Sequence, residues 1–155
     1  MEASLKSLLS EEQELQFTQF NEDTAWEIGN LLVARAIEEN LPITIDITRG
    51  SHQLFHASQP GTSPDNDEWI KRKVRVVYRF GHSSFYIGQS LKSENTSMEE
   101  KYLLSEKEFA AHGGSFPVIV KGTGLIGTIT VSGLPQEEDH QLVVDVIRNY
   151  LQENK

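Results

Sequence analysis

Apolar residues recur along this chain with two different periods. In "NEDTAWEIGNLLVARAIEEN", Ala25, Ile28, Leu32 and Ala36 fall at three- and four-residue intervals, and Trp26, Gly29, Val33 and Ile37 form a second row beside them. That spacing predicts a helix with one broad core face, ended by Asn40 and Pro42. A short helix from residue 10 to about 20 precedes it, with Ser10 and Gln13 at capping-box spacing. The period then shortens: "PITIDITRGSHQLFHAS" alternates as a hairpin with Arg49 and Gly50 at its turn.

After the turn-rich "QPGTSPDND", Asp65 or Asp67 serves as N-cap for "EWIKRKVRVVYRFG". There Ile70, Val74 and Val77 make one stripe and Trp69, Val76 and Phe80 another, with a valine-rich strand as the competing reading. "HSSFYIGQSLKSENTS" predicts a helix and a loop. "MEEKYLLSEKEFAAHGG" predicts a helix with Ser105 and Glu108 as a capping box and Gly113 as its stop. Strands over residues 116–121 and 125–132 lead to a last helix, whose first turn carries Glu137, Glu138 and Asp139. Helices, hairpin, helices, hairpin, helix is not the alternation of a doubly wound sheet. It predicts an α+β fold with an antiparallel sheet and helices packed on it. At 155 residues the expectation is a single domain over residues 1–155.

Composition narrows the function classes. The chain has no cysteine, which excludes disulfides, thiolate chemistry and cysteine-ligated zinc. Its 23 acidic and 14 basic residues give a net charge of −9, which disfavours nucleic acid and anionic membrane as partners. The acidic start "MEASLKSLLSEEQEL" lacks the positive charge and apolar core of a signal peptide, and no run is apolar enough to insert in a membrane. A cytoplasmic location is the expectation.

The charge is unevenly spread. Lys71, Arg72, Lys73, Arg75 and Arg79 lie within nine positions, leaving nine basic against 23 acidic residues elsewhere. On a helix Arg72, Arg75 and Arg79 share a face that suits a small anion or pairs with acidic residues of this or a neighbouring subunit. His112 precedes Gly113 and Gly114, where backbone without Cβ atoms lets a ligand approach closely; a helix C-cap explains the same residues. Ser83 and Ser84 suit an anion or the cap of the next helix.

Other constellations carry less. "GTGLIG" (Gly122 to Gly127) has the spacing of a dinucleotide fingerprint, yet its flanks predict strand, turn, strand. Without a helix at the third glycine nothing points at a pyrophosphate, so no dinucleotide is expected, and Gly122 and Gly124 become turn residues. His52 and His56 on a strand stand about 13 Å apart, too far for one metal, so no metal site is assigned. Asp139 and His140 are helix neighbours pointing about 100° apart and need separate partners. Ser132 in "TVSGL" lacks a nucleophile elbow. No set of base, nucleophile and oxyanion donors assembles, and catalysis stays open.

Taken together, "DEWIKRKVRVVYRFGHSS", "AHGGSFPVIV" and "GLIGTITVSGLPQEEDHQLVV" resemble a family of small, largely uncharacterised bacterial and fungal proteins. That family is grouped with haem-degrading and haem-binding domain proteins and with the glycolate-operon accessory protein. Gly113, Gly114 and Pro117, then Gly127, Val131, Ser132, Gly133 and Asp139, carry the likeness. The resemblance implies a profilin-like or PAS-like three-layer α-β-α domain with a central antiparallel sheet. Residues 21–153 would form it and residues 1–20 a helical extension. It further implies assembly into dimers or larger rings, with haem as the candidate cofactor. The expected ligand site comprises Arg72, Lys73, Arg79, His82, His112, Gly113 and Gly114, with His82 or His112 as axial residue. The other class of function is a non-enzymatic oligomeric adaptor acting through protein contacts.

Overall fold

The computed structural model describes residues 4–155. The first three residues of the expected N-terminal extension lie outside them. In chain order the elements are α1 (Leu5–Glu14), α2 (Glu22–Glu39), β1 (Thr44–Arg49), β2 (His52–Ser58), α3 (Pro64–Phe80), α4 (Ser84–Ser93), α5 (Met98–Tyr102), β3 (Ser115–Val120), β4 (Gly124–Ser132) and α6 (Gln136–Glu153). The four strands form one antiparallel sheet in the order β2-β1-β4-β3, so the fold is α+β as expected.

Strand alternation gives this sheet two unlike faces. Ile45 pairs with Val131 and Ile47 with Ile129, and these residues join Phe116 and Val118 against Ala25, Ile28, Leu32 and Ala36 of α2 and Leu142, Val143 and Ile147 of α6. All are buried. The residues between them, Thr44, Asp46, Thr128, Thr130 and Ser132, point the other way and are also buried. That hydroxyl-rich face is covered by α3, which packs on β4, β3 and β1 through Ile70, Lys73 and Val77. Beyond α3 a smaller cluster of Val76, Ile87, Leu91 and Met98 ties it to α4 and α5.

Several expectations change. The first helix starts earlier because Ser4, not Ser10, caps it: the Ser4 hydroxyl accepts the Ser7 N–H at 3.0 Å. Ser63, rather than Asp65 or Asp67, is the N-cap of α3, with its N–H donating to Asn66 Oδ1 and Pro64 opening the helix. Helix, not strand, is the state of residues 64–80. Of the second row on α2, Trp26 and Ile37 are each 64% exposed, so the core stripe is narrower than its apolar pattern.

The largest change lies between Leu103 and Gly114. The helix expected there ends at Tyr102, where Leu103 takes a left-handed conformation. The chain then runs alongside α3, the Ala110 N–H donating to the Arg72 carbonyl at 3.1 Å and Arg75 Nη1 to the Glu108 carbonyl at 3.1 Å. One turn survives at Ser105, whose carbonyl accepts the Glu108 and Phe109 N–H groups, and tertiary bonds take over beyond it, so His112 caps no helix. Gly122 and Gly124 do sit in the β3–β4 turn with φ of 81° and 109°, and the strand continues through Gly127.

Candidate functional site

The hydroxyl-rich face of the sheet, the N-terminal half of α3 and the start of α6 leave a cavity of about 400 Å³. At its base lies an ion pair between residues 66 positions apart. Lys73 Nζ reaches Asp139 Oδ2 at 3.2 Å and donates to the Val131 carbonyl at 3.1 Å. Both side chains are almost wholly buried. The third N–H of this ammonium has no protein acceptor among the described residues, and Lys73 lines the cavity. Asp139 Oδ1 accepts the Leu134 N–H at 3.0 Å, fixing the loop that enters α6.

Burial dominates the electrostatics. It pushes the Asp139 carboxyl up from an ordinary 3.8 to about 6, against the opposing pull of Lys73 and the Leu134 N–H. Burial likewise holds the Lys73 amine below its ordinary value, with Asp139 opposing. His112 is also lowered, first by burial and then by the Lys73 charge, so its ring is neutral at pH 7.

The two glycines are required by close approach. Gly114 has φ of 139°, and a Cβ there would stand 2.3 Å from the Val131 carbonyl oxygen and 2.7 Å from Lys73 Nζ. A Cβ on Gly113 would meet the Gln136 carbonyl oxygen at 2.2 Å. The Gly113 N–H donates to Gln136 Oε1, which leaves the NH₂ of that amide as the group free to donate.

Trp69 and His112 divide this cavity from a second one of about 470 Å³. Their rings meet edge to face at 5.4 Å, and the Arg72 guanidinium lies 4.2 Å above the indole. The second cavity is lined by Leu91, Met98, Phe109 and Ala111 on its apolar side and by Arg72, Asn95, Thr96, Ser97 and Glu106 among its polar groups. Lys73, Gly114, Gly113, His112 and Arg72 of the expected site are therefore brought together. Arg79 and His82 are not: Arg79 is exposed further along α3, and His82 Nδ1 contacts Glu12 Oε1 at 2.7 Å beside Tyr86.

Trp69, Asn66, Gln136 and Asp139 also line the first cavity, although no motif marks the first three and Asp139 stands out in the sequence only beside His140. The two do point apart, His140 Nε2 meeting Glu11 Oε1 at 3.0 Å under the Phe85 ring. Ser132 Oγ receives Asn66 Nδ2 at 3.4 Å, and Ser83 caps α4. His56 lies between Asp46 (3.0 Å) and Asp67 (2.9 Å), bridging β2 to α3.

These features define an α+β domain with a buried charge pair beneath a paired cavity, and comparison with known proteins gives its family. Residues 20–148 match the profile of the haem-degrading protein HbpS-like family. A UPF0303 protein of Streptomyces coelicolor is 48% identical over 150 residues, spanning 97% of this chain and 95% of that one. The chain belongs to the UPF0303 proteins, within the HbpS-like family. The crystal structure of the Ybr137w protein superposes with a TM-score of 0.92 at 33% identity, covering 99% of this chain and 91% of that one. The crystallised PduOC–haem complex shares the fold, with a TM-score of 0.66 at 16% identity over 85% of this chain and 94% of that one.

Proposed function

We propose that this chain is a small-ligand-binding protein that holds an anionic organic molecule against Trp69, Lys73 and His112. The observation that carries this reading is Lys73: a buried ammonium with one N–H unspent, lining a cavity already bounded by an aromatic ring and amide donors. Nothing in a purely structural ion pair requires the space around it.

Haem is the specific candidate, supported by the family's description, and its fit differs between the two cavities. Asp65, Asn66, Lys73, Ser132, Gln136 and Asp139 make the first too polar for a macrocycle. In the second, Leu91, Met98 and Phe109 would face the ring, Arg72 a propionate, and neutral His112 the iron. A bound haem would supply iron-centred redox chemistry. His82, held by Glu12 away from both cavities, is the weaker axial candidate.

Two coarser features complete the proposal. The domain is a profilin-like three-layer α-β-α unit over the whole chain. It works as a homo-oligomer, a dimer or larger ring, because Trp26 and Ile37 leave apolar surface on α2 that a subunit contact would bury. That same surface favours the second reading, an adaptor acting through protein contacts.

Haemin titration followed in the Soret region tests the haem candidate in the second cavity. Saturation near one haem per chain, weakened by His112→Ala and Arg72→Glu but not by His82→Ala, supports it; a spectrum without a saturable shift removes haem.

A further inference from the structure

The Lys73 amine offers the polar cavity more than a charge. A lysine becomes a nucleophile when it is desolvated and has a group at hand to take and return its proton. Lys73 is 3% exposed, its Nζ is 3.2 Å from Asp139 Oδ2, and both groups line the same cavity. Burial disfavours the charged form of each, so passing one proton from the ammonium to the carboxylate removes both buried charges. The amine then carries a lone pair, and the carboxyl beside it carries the acid proton.

We infer that Lys73 captures a small carbonyl compound, a short 2-oxo acid, as an imine in the cavity of about 400 Å³. This rests on the proposed reading of the cavity as a ligand site. The nitrogen lone pair forms a C–N bond to the carbonyl carbon as the oxygen takes the Asp139 proton, and the now cationic nitrogen returns one hydrogen to the Asp139 carboxylate, giving a neutral carbinolamine. Asp139 passes that proton to the hydroxyl, which leaves as water while the nitrogen lone pair forms the C=N bond, and the remaining N–H proton returns to Asp139. Amine plus carbonyl gives imine plus water, with no oxidant or reductant required.

The carboxylate of the 2-oxo acid has its own partners. The Gln136 amide keeps its NH₂ for donation because its oxygen is taken by Gly113. Residue 136 also opens α6, whose first turn already carries Glu137, Glu138 and Asp139 and whose Glu138 and Asp139 N–H groups are taken by the Pro135 carbonyl, so the Gln136 amide is the group that holds the carboxylate. Together with Lys73 it spans the two ends of one small molecule. Gly114 makes the geometry achievable, since any Cβ would occupy the space beside Nζ.

The test uses the intact chain, pyruvate and sodium cyanoborohydride, which reduces an imine to a stable secondary amine. Proteolysis and mass spectrometry then locate the adduct. Lys71, two residues away with its side chain 62% exposed, is the internal reference. We expect labelling of Lys73 at least tenfold faster than of Lys71, and loss of the Lys73 adduct in Lys73→Arg with Lys71 labelling unchanged. Labelling of Lys73 no faster than of Lys71 overturns the inference. Pyruvate binding without reductant, followed by saturation-transfer NMR, separates the two failures: binding without trapping overturns only the imine, whereas neither binding nor trapping overturns the polar-cavity reading as well.

Discussion

Replacing Lys73 with methionine removes the positive member of the buried pair while keeping most of the hydrocarbon that fills its place. In the native protein Asp139 is raised from 3.8 to about 6. A carboxyl raised on folding contributes stability that is fully present below 3.8 and lost as pH climbs to about 6. At 1.36 kcal/mol per pH unit, that window amounts to about 3 kcal/mol. Lys73 opposes the rise, so without it the carboxyl moves higher and the loss continues into the neutral range. At pH 8 the variant should be about 3–5 kcal/mol less stable than the native chain, the usual cost of stranding a buried charge. At pH 5, where Asp139 is protonated in the variant, the deficit should shrink to about 1–2 kcal/mol of lost hydrogen bonding and packing. The desolvation cost that Lys73 itself escapes is equal at the two pH values or larger at pH 5, so it acts in the same direction. Urea denaturation at both pH values measures the two deficits. Equal deficits would refute a buried Asp139 controlled by Lys73.

Gly114→Ala forces a Cβ against the Val131 carbonyl at a φ of 139°, and should cost roughly 3 kcal/mol or more in urea denaturation. Arg72→Glu exchanges the cation above Trp69 for an acid, and should weaken haemin binding about tenfold with unfolding unchanged within ~1 kcal/mol. Glu12→Gln weakens the contacts to His82 and to the Ser83 N–H, which costs about 1–2 kcal/mol and leaves haemin affinity unaltered, because neither Glu12 nor His82 lines either of the two cavities.

Which parts of the molecule were readable from sequence follows from the range of the interactions. The period of Ala25, Ile28, Leu32 and Ala36 marks a buried helix face because each residue is buried by its own spacing, and all four are in the core. Trp26 and Ile37 obey the same period and stay exposed, since nothing local states how wide a face the sheet will cover. Residues 105–113 carry helix signals, but the carbonyl of Arg72 outbids them for the Ala110 N–H. The site shows the same limit. Lys73 stood out as one cation in a basic run and His112 through the glycines after it. The partner that gives Lys73 its chemistry sits 66 residues away on another helix, masked by an adjacent histidine that itself pairs with Glu11. Trp69 looked like core and is instead a wall between two cavities.

Hydrogen–deuterium exchange of the intact chain with and without saturating haemin tests most directly the central claim that Trp69 and His112 wall a ligand site. The account predicts protection centred on residues 69–73 of α3 and on 88–98 and 106–114, the segments that frame Trp69, Arg72 and His112. Protection confined to α1 and the His82 region, or no protected segment at all, would contradict it.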